Sequence, residues 1–425
     1  MIFDQISQFD RVLILGFARE GQSTYKFLRS KFPKLIIGLA DQKTPDWIPD
    51  DPKTEKYFSP DYLSQSLITN HYHLIIKTPG ISPHKPEIIA AKTKGAKFTS
   101  HTQIFFEICP SKKTIGITGT KGKSTTTSLI HHILTANGIP AVLAGNIGRP
   151  ALDFLPEITP ETWVIMELSS YQLMDLKTSP HIAVLLNIYP DHLDYHTDFI
   201  EYKTAKLNIT KFQTPNDYLI TQLKVPTRAQ KIPLFRPSQP IPSQLLGSHN
   251  QLNIQPAVII GNLLDIPEAK IFSAVNNFTP LDTRLQLVAT KNGIRFFADT
   301  LATIPEATIA AIDALHPDVY TLIAGGHERK QNYSELAKKI LSGNIKTLIL
   351  FPATGTRIWE EVKKIGGRKI NHFFASSMSD AVKMALDHTA SGKICLLSPA
   401  APSFTLFKDY RDESNQYRKF IQEIS

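Results

Sequence analysis

The chain has 425 residues, 42% of them hydrophobic, and a formal net charge of +9; that length supports two to four domains with ample core, and no stretch approaches the roughly 18 unbroken apolar residues of a membrane span. Lys and Arg are spread along the chain, with no basic run and no interleaved aromatic stripe, so a solvated basic surface or clefts for small anions fit the charge better than nucleic acid does. Cys109 and Cys395 lie far apart and form no metal spacing; they imply a reducing compartment and small buried side chains.

The N-terminus lacks a basic region followed by an apolar core, so no signal peptide is expected. Residues 1 to about 100 read as repeated strand–helix units. Arg11 to Gly16 is a buried strand, Gly16-Phe-Ala-Arg-Glu-Gly21-Gln-Ser23 a turn into a helix, and Leu35 to Asp41 a second strand ending in an acid. This is half of a dinucleotide-binding fingerprint, with Ala18 in place of the middle glycine, and it suits either a nucleotide site or a plain βαβ turn. A third strand, His73 to Lys77, runs into the turn Thr78-Pro-Gly80-Ile-Ser-Pro83. That places the turn at a strand C-terminus, where open α/β sheets bind ligands.

Near residue 100 the pattern restarts. The run Thr114 to Thr118 reads as a buried strand, Gly119, Thr120, Lys121 and Gly122 as a tight loop, and Lys123-Ser124-Thr125 as the start of a helix with Leu129, Ile130, Ile133 and Leu134 on one face. Backbone N–H groups of such a loop can close around phosphate oxygens, with the helix N-terminus adding positive potential. Lys123 can neutralise the β/γ-phosphates, and the hydroxyl of Ser124 or Thr125 can ligate Mg²⁺. The spacing departs from the usual motif, because Ile117 occupies the first glycine position. A glycine turn capping an ordinary helix is the plainer alternative; agreement of strand, Gly-Lys-Ser and helix favours phosphate.

Two further apolar runs follow, Trp163 to Glu167 and Ile182 to Ile188, each ending in polar residues. After the second come His192 and Asp194, then a helix carrying Lys203 and Lys206. Parallel strands put all their C-termini on one edge, so Glu167, His192 and Ser124 can converge on metal and triphosphate. Residues 223 to 245 read as short strands and loops, and His249-Asn250-Gln-Leu-Asn253 opens another helix. A second restart at Leu281-Asp-Thr-Arg284 leads into five more strands alternating with helices, a third parallel α/β unit. The expected architecture is three tandem α/β domains, over residues 1–100, 101–281 and 282–425.

The motifs Gly119-Thr-Lys-Gly-Lys-Ser-Thr125, Gly145-Asn-Ile-Gly148, Glu167-Leu-Ser-Ser-Tyr-Gln172, Asn187-Ile-Tyr-Pro-Asp-His-Leu-Asp194, Tyr202-Lys-Thr-Ala-Lys206, His249-Asn250 and Asp282-Thr-Arg284 together resemble the Mur ligase family. The resemblance spans the whole chain. It implies a Rossmann-like first domain, a central P-loop ATPase-like sheet and a Rossmann-like C-terminal domain. The implied activity is an ATP-driven amide ligase of peptidoglycan synthesis, a cytoplasmic monomer that adds D-glutamate to UDP-N-acetylmuramoyl-L-alanine through an acyl phosphate, with ATP and two Mg²⁺ ions. By the same resemblance Ser124, Glu167, His192 and Lys206 hold metal, Lys206 as a CO₂-derived carbamate, and Lys123 assists phosphoryl transfer. Asn253, Arg284 and Asp299 contact the nucleotide with the Gly119–Thr125 loop. Gly16, Phe17, Asp41, Gln42, Lys43 and Gly80 hold the uridine diphosphate end. Asn146 and Ser170 line the substrate path, and Thr303, Arg329, Ser403 and Tyr410 face D-glutamate.

Two departures stand out. Lys121 occupies a loop position where the family usually has Asn, and Leu301 one where it usually has Lys, removing a cation expected near the acyl phosphate; Arg329 or Lys330 can compensate. The alternative is a related ligase, Mur-type or folylpolyglutamate-type, with another amino-acid specificity.

Overall fold

The computed structural model describes residues 2–69, 72–192, 195–234 and 240–424. These residues build three α/β sheets. The first has the order β3-β2-β1-β4-β5, with β1 at Arg11–Leu15, β2 at Ile36–Asp41, β3 at Thr54–Phe58, β4 at Leu74–Lys77 and β5 at Lys97–Thr99. Every pairing in it is parallel. The order reverses between β1 and β4, which opens a crevice at their C-terminal ends. The Gly16 turn and the Thr78–Ser82 turn both leave the sheet there.

The second sheet runs β11-β10-β9-β6-β8-β7, with β6 at Thr114–Thr118, β7 at Ala141–Gly145, β8 at Trp163–Glu167, β9 at Ile182–Leu185, β10 at Tyr218–Thr221 and β11 at Gln230–Pro233. It too is parallel throughout. Strands β6, β8 and β9 are buried at every residue, as expected of strands covered by helices on both faces. The loop after β6 lies between the ends of β8 and β9, which is why Glu167 and the Asn187 segment come to it.

The first two sheets belong to one compact body, residues 1–238 and 252–275. One apolar core runs through both, joining Ile14, Phe17 and Leu39 to Phe105, Val164 and Leu185. Polar contacts reinforce it. Glu20 accepts a hydrogen bond from Gln172 Nε2 at 2.7 Å, Ser23 Oγ donates to Asp153 at 2.6 Å, and Arg19 reaches the Gly148 carbonyl.

The second body, residues 239–251 and 276–425, holds the sheet β12-β13-β17-β14-β15-β16. Its strands are β12 at Gln286–Lys291, β13 at Ile294–Ala298, β14 at Val319–Gly325, β15 at Thr347–Phe351, β16 at Asn371–Phe374 and β17 at Ile394–Leu397. The sequence reading of a wholly parallel unit needs one correction: β12 pairs antiparallel with β13 at the sheet edge. Asn292-Gly293 makes the turn, both residues with positive φ (51° and 76°), the conformation of a tight hairpin turn. Mixed residues half-exposed on both faces hide β12 from a reading that looks for apolar runs.

Candidate active site

The loop after β6 is anchored from β9. Thr120 N donates to the Asn187 carbonyl at 2.8 Å, Lys121 N to Asn187 Oδ1 at 2.9 Å, and Asn187 Nδ2 returns a bond to the Lys121 carbonyl at 3.0 Å. Thr120 Oγ1 pairs with the Tyr202 hydroxyl at 2.9 Å. Gly122 caps the helix Lys123–Ala136 with φ +89°, a conformation that disfavours any side chain. A Cβ there would stand 2.1 Å from Asn253 Oδ1. Asn253, expected to touch nucleotide, thus lies against the loop, its carbonyl accepting from Thr126 Oγ1 at 3.0 Å.

Two lysines share one carbonyl beneath this loop. Lys123 Nζ and Lys206 Nζ donate to the Gly119 oxygen at 3.0 and 2.9 Å. Lys206 is only 2% exposed, with its ammonium 4.7 Å over the Tyr202 ring. Burial, then the like charge of Lys123, drives its pKa well below the ordinary lysine value. Lys203, one turn earlier on the same helix, is exposed.

Glu167 ends β8 fully buried. Its Oε1 accepts from Asn146 Nδ2 at 2.7 Å, while its Oε2 is buried with no hydrogen-bond partner. An unpaired buried carboxylate oxygen is costly unless a cation or donor completes it. His192, in the left-handed region at φ 56°, has its Nδ1 2.7 Å from the Tyr171 hydroxyl. That contact is the type that orients a metal-ligating histidine through its second nitrogen. Beside it, burial raises the Asp191 pKa but Lys121 and His192 outweigh it and hold the carboxyl below its ordinary value. Among the described residues no cluster of three His, Cys, Asp or Glu side chains gathers as a protein-only metal site. A donor set of one carboxylate, one imidazole and the Ser124 hydroxyl suits an ion that keeps water and phosphate oxygens, as Mg²⁺ does. Asp194 lies outside the described residues.

In the first sheet's crevice, Phe17 N donates to Asp41 Oδ2 at 2.7 Å and Lys43 N to Asp41 Oδ1 at 3.3 Å, so Asp41 ties its own loop to the Gly16 turn. The Phe17 ring is buried and stacks on Trp47 at 5.9 Å, and its carbonyl accepts from Gln22 Nε2 at 3.3 Å, so Phe17 packs the base of the crevice. Gln42 and Gly80 are exposed. Ser170 is buried with its hydroxyl 3.0 Å from His196 Nε2. In the second body, Asp299 accepts from Leu285 N at 3.2 Å and Ser398 Oγ at 3.1 Å, and Arg284 sits in the loop before β12. Thr303, Arg329, Ser403 and Tyr410 follow the C-terminal ends of β13, β14 and β17. Bonds from His327 N to the Pro402 carbonyl (2.7 Å), Gln331 Nε2 to the Thr303 carbonyl (3.0 Å) and Thr300 Oγ1 to the Tyr410 carbonyl (2.9 Å) draw these segments together. Residues that sequence reasoning passed over are Asn187, Tyr171 and Tyr202. Their signal was position, since each stands inside a motif already singled out.

The family model for the Mur ligase middle domain matches residues 117–235, and that for the Mur ligase, glutamate ligase domain matches residues 283–401. The UDP-N-acetylmuramoylalanine–D-glutamate ligase of Clostridium kluyveri is 30% identical, over 99% of each chain. The enzyme of the same name from Listeria monocytogenes is 32% identical, over 97% of this chain and 96% of the relative. The chain belongs to the Mur ligase family. Solved Mur ligases share its fold: MurC of Thermotoga maritima superposes with a TM-score of 0.60 at 16% identity, covering 97% and 99% of the two chains. MurF of Acinetobacter baumannii gives 0.62 at 14% identity over 97% and 90%. The loop, the buried Glu167 and the buried Lys206 all lie in the matched middle domain of this Mur ligase. No helix among its described residues is long and apolar enough to cross a membrane.

Proposed function

We propose that the protein joins D-glutamate to UDP-N-acetylmuramoyl-L-alanine at the expense of ATP. The observation that carries this reading is 30–32% identity, over 97–99% of this chain, to relatives named for that reaction. In the proposed division of labour, residues 1–100 hold the uridine diphosphate end, 101–281 the ATP and 282–425 the amino acid.

The alanyl carboxylate attacks the γ-phosphorus, the bond to ADP breaks, and an acyl phosphate results. The amine of D-glutamate then attacks the acyl carbon and phosphate leaves. Phosphoryl transfer of this kind chiefly needs positioning and charge neutralisation. The loop N–H groups and the helix start at Lys123 face the phosphates, and Lys123 exchanges its bond to the Gly119 carbonyl for phosphate oxygens. Glu167, His192 and Ser124 are the residues that would hold Mg²⁺, whose chemistry there is to neutralise charge on the phosphates. The buried, unpartnered Glu167 Oε2 supports that assignment. Lys206 is the proposed carbamate: its depressed pKa supplies the neutral amine that CO₂ requires, and the product bears carboxylate-like oxygens.

The decisive assay is phosphate release with UDP-N-acetylmuramoyl-L-alanine, ATP and one amino acid at a time. Turnover with D-glutamate alone is the expected result. Turnover with a diamino acid and none with D-glutamate would overturn the specificity, and Leu301 makes that comparison pointed.

A further inference from the structure

The second body contains a buried acid that neither the family motifs nor the proposed chemistry uses. Glu413 lies in the first turn of the helix Tyr410–Gln422 and has no exposed surface. It stands on the face that buries Tyr417 and Ile421. Its Oε2 accepts the Ser403 hydroxyl, and its Oε1 is buried with no hydrogen-bond partner. Ser403 follows β17 in the segment drawn towards Thr303 and Arg329, and is itself 4% exposed.

Hydrogen-bond arithmetic makes this pair informative. A serine hydroxyl has one proton to donate and two lone pairs. A carboxylate only accepts, so an ionised Glu413 consumes the single Ser403 proton and leaves Ser403 nothing to offer an anionic ligand. A neutral Glu413 donates its own O–H to Ser403 Oγ. The Ser403 proton is then free to turn to a ligand carboxylate. We propose that Glu413 is a positioning and specificity residue of the amino-acid site, acting in its neutral form through Ser403 to make that hydroxyl a donor for the carboxylate of an acidic amino acid. The proposal rests on the assignment of residues 282–425 to the amino acid and deepens it, since it says how a site with Leu301 in place of a cation can accept an anion.

Burial raises the Glu413 pKa to about 8, Ser403 acts against that rise, and the Asp412 carboxylate adds to it. The titratable groups packed on the same side are Tyr417, also raised by burial, and Cys395, pushed up to about 12; both are neutral near pH 7. The helix N-terminus favours the anion, but by less than the cost of fully burying a charge with one oxygen unpaired.

The test compares parent, Glu413→Gln and Ser403→Ala by infrared difference spectroscopy and by KM for D-glutamate and for ATP from pH 6 to 9.5. The glutamine amide keeps a donor towards Ser403, mimicking the neutral acid. A protonated-carboxyl band in the parent at pH 6.5, absent from Glu413→Gln, is expected. The parent's D-glutamate KM should climb about tenfold per pH unit above the titration of Glu413, as one proton per binding event requires. Glu413→Gln should abolish that climb, and Ser403→Ala should raise the D-glutamate KM about tenfold or more at pH 7, with the KM for ATP within about twofold in both. Absence of the band overturns the proposal, as does a Glu413→Gln variant that loses D-glutamate as severely as Ser403→Ala at pH 7. A parent that never turns over D-glutamate defeats the function reading instead, and the band still decides the protonation state.

Discussion

Replacing Gly122 by Ala should weaken ATP use far more than replacing the glycine that lies beyond the other end of the same helix. Gly122 has φ +89°, which costs an L-residue roughly 1–2 kcal/mol. The new Cβ would also stand 2.1 Å from Asn253 Oδ1 and 3.2 Å from Leu186 Cδ1. The first distance falls about 1 Å short of the closest separations that real Cβ atoms show, 3.0 Å, so Asn253 must swing away. Its freedom is limited: Asn253 is 7% exposed, and its carbonyl is bonded to Thr126 Oγ1 at 3.0 Å. Disturbing a buried polar arrangement of this kind adds about 1–3 kcal/mol. These costs fall on the folded enzyme and should appear as a drop in Tm of several degrees. A loop pushed off Asn253 also presents its N–H groups out of place, and losing about 1.4 kcal/mol of phosphate binding would raise the KM for ATP about tenfold. Gly138, just beyond the other end of that helix, is the matched control. Its φ is +72° and a Cβ added there would meet no atom within 4 Å, so Gly138→Ala carries only the backbone cost. Steady-state kinetics and thermal unfolding of both variants decide the matter. A Gly122→Ala enzyme with the parent's KM for ATP would refute the placement of the phosphates at this loop.

The other predictions address the remaining parts of the site. Lys206→Ala should lose activity about a hundredfold or more, with partial recovery on adding acetate or formate, whereas Lys203→Ala, on the exposed face, should change kcat less than about twofold; equal activity of the two variants would sink the carbamate. Arg329→Ala should raise the KM for the amino acid about tenfold and leave that for ATP within about twofold if this exposed arginine replaces the cation lost at Leu301. Burial pushes Glu20 from its ordinary value of 4.5 to about 7. The folded protein therefore binds more protons than the unfolded chain in that window, and the stability contributed at low pH is lost as pH rises through about 7. The loss is on the order of 3 kcal/mol, and Glu20→Gln should flatten that segment of a denaturant-derived stability profile; an unchanged slope would contradict the burial argument.

Much of this protein was legible in its sequence because the signals are local. The β-branched run Thr114–Thr118 followed by Gly-Thr-Lys-Gly-Lys-Ser dictates strand, turn and helix through the backbone alone, and the structure has all three where expected. The pairing of strand ends with polar residues placed Glu167 and His192 on the loop's edge of the sheet, since parallel strands leave no other edge for them. What the sequence could not decide depends on neighbours far along the chain. Strand β12 carries no apolar run and exists because β13 offers it an edge. Lys203 and Lys206 are the same residue type one turn apart, and only packing against Tyr202 and the Gly119 carbonyl buries one and leaves the other in water. The motif marked Ser403 as a residue facing the amino acid, and only the fold shows that its hydroxyl is paired with buried Glu413, ten residues on. Local order follows from backbone stereochemistry and hydrophobic period, which a short window contains; burial, charge state and hydrogen-bond direction follow from what the fold brings within a few ångströms, which it does not.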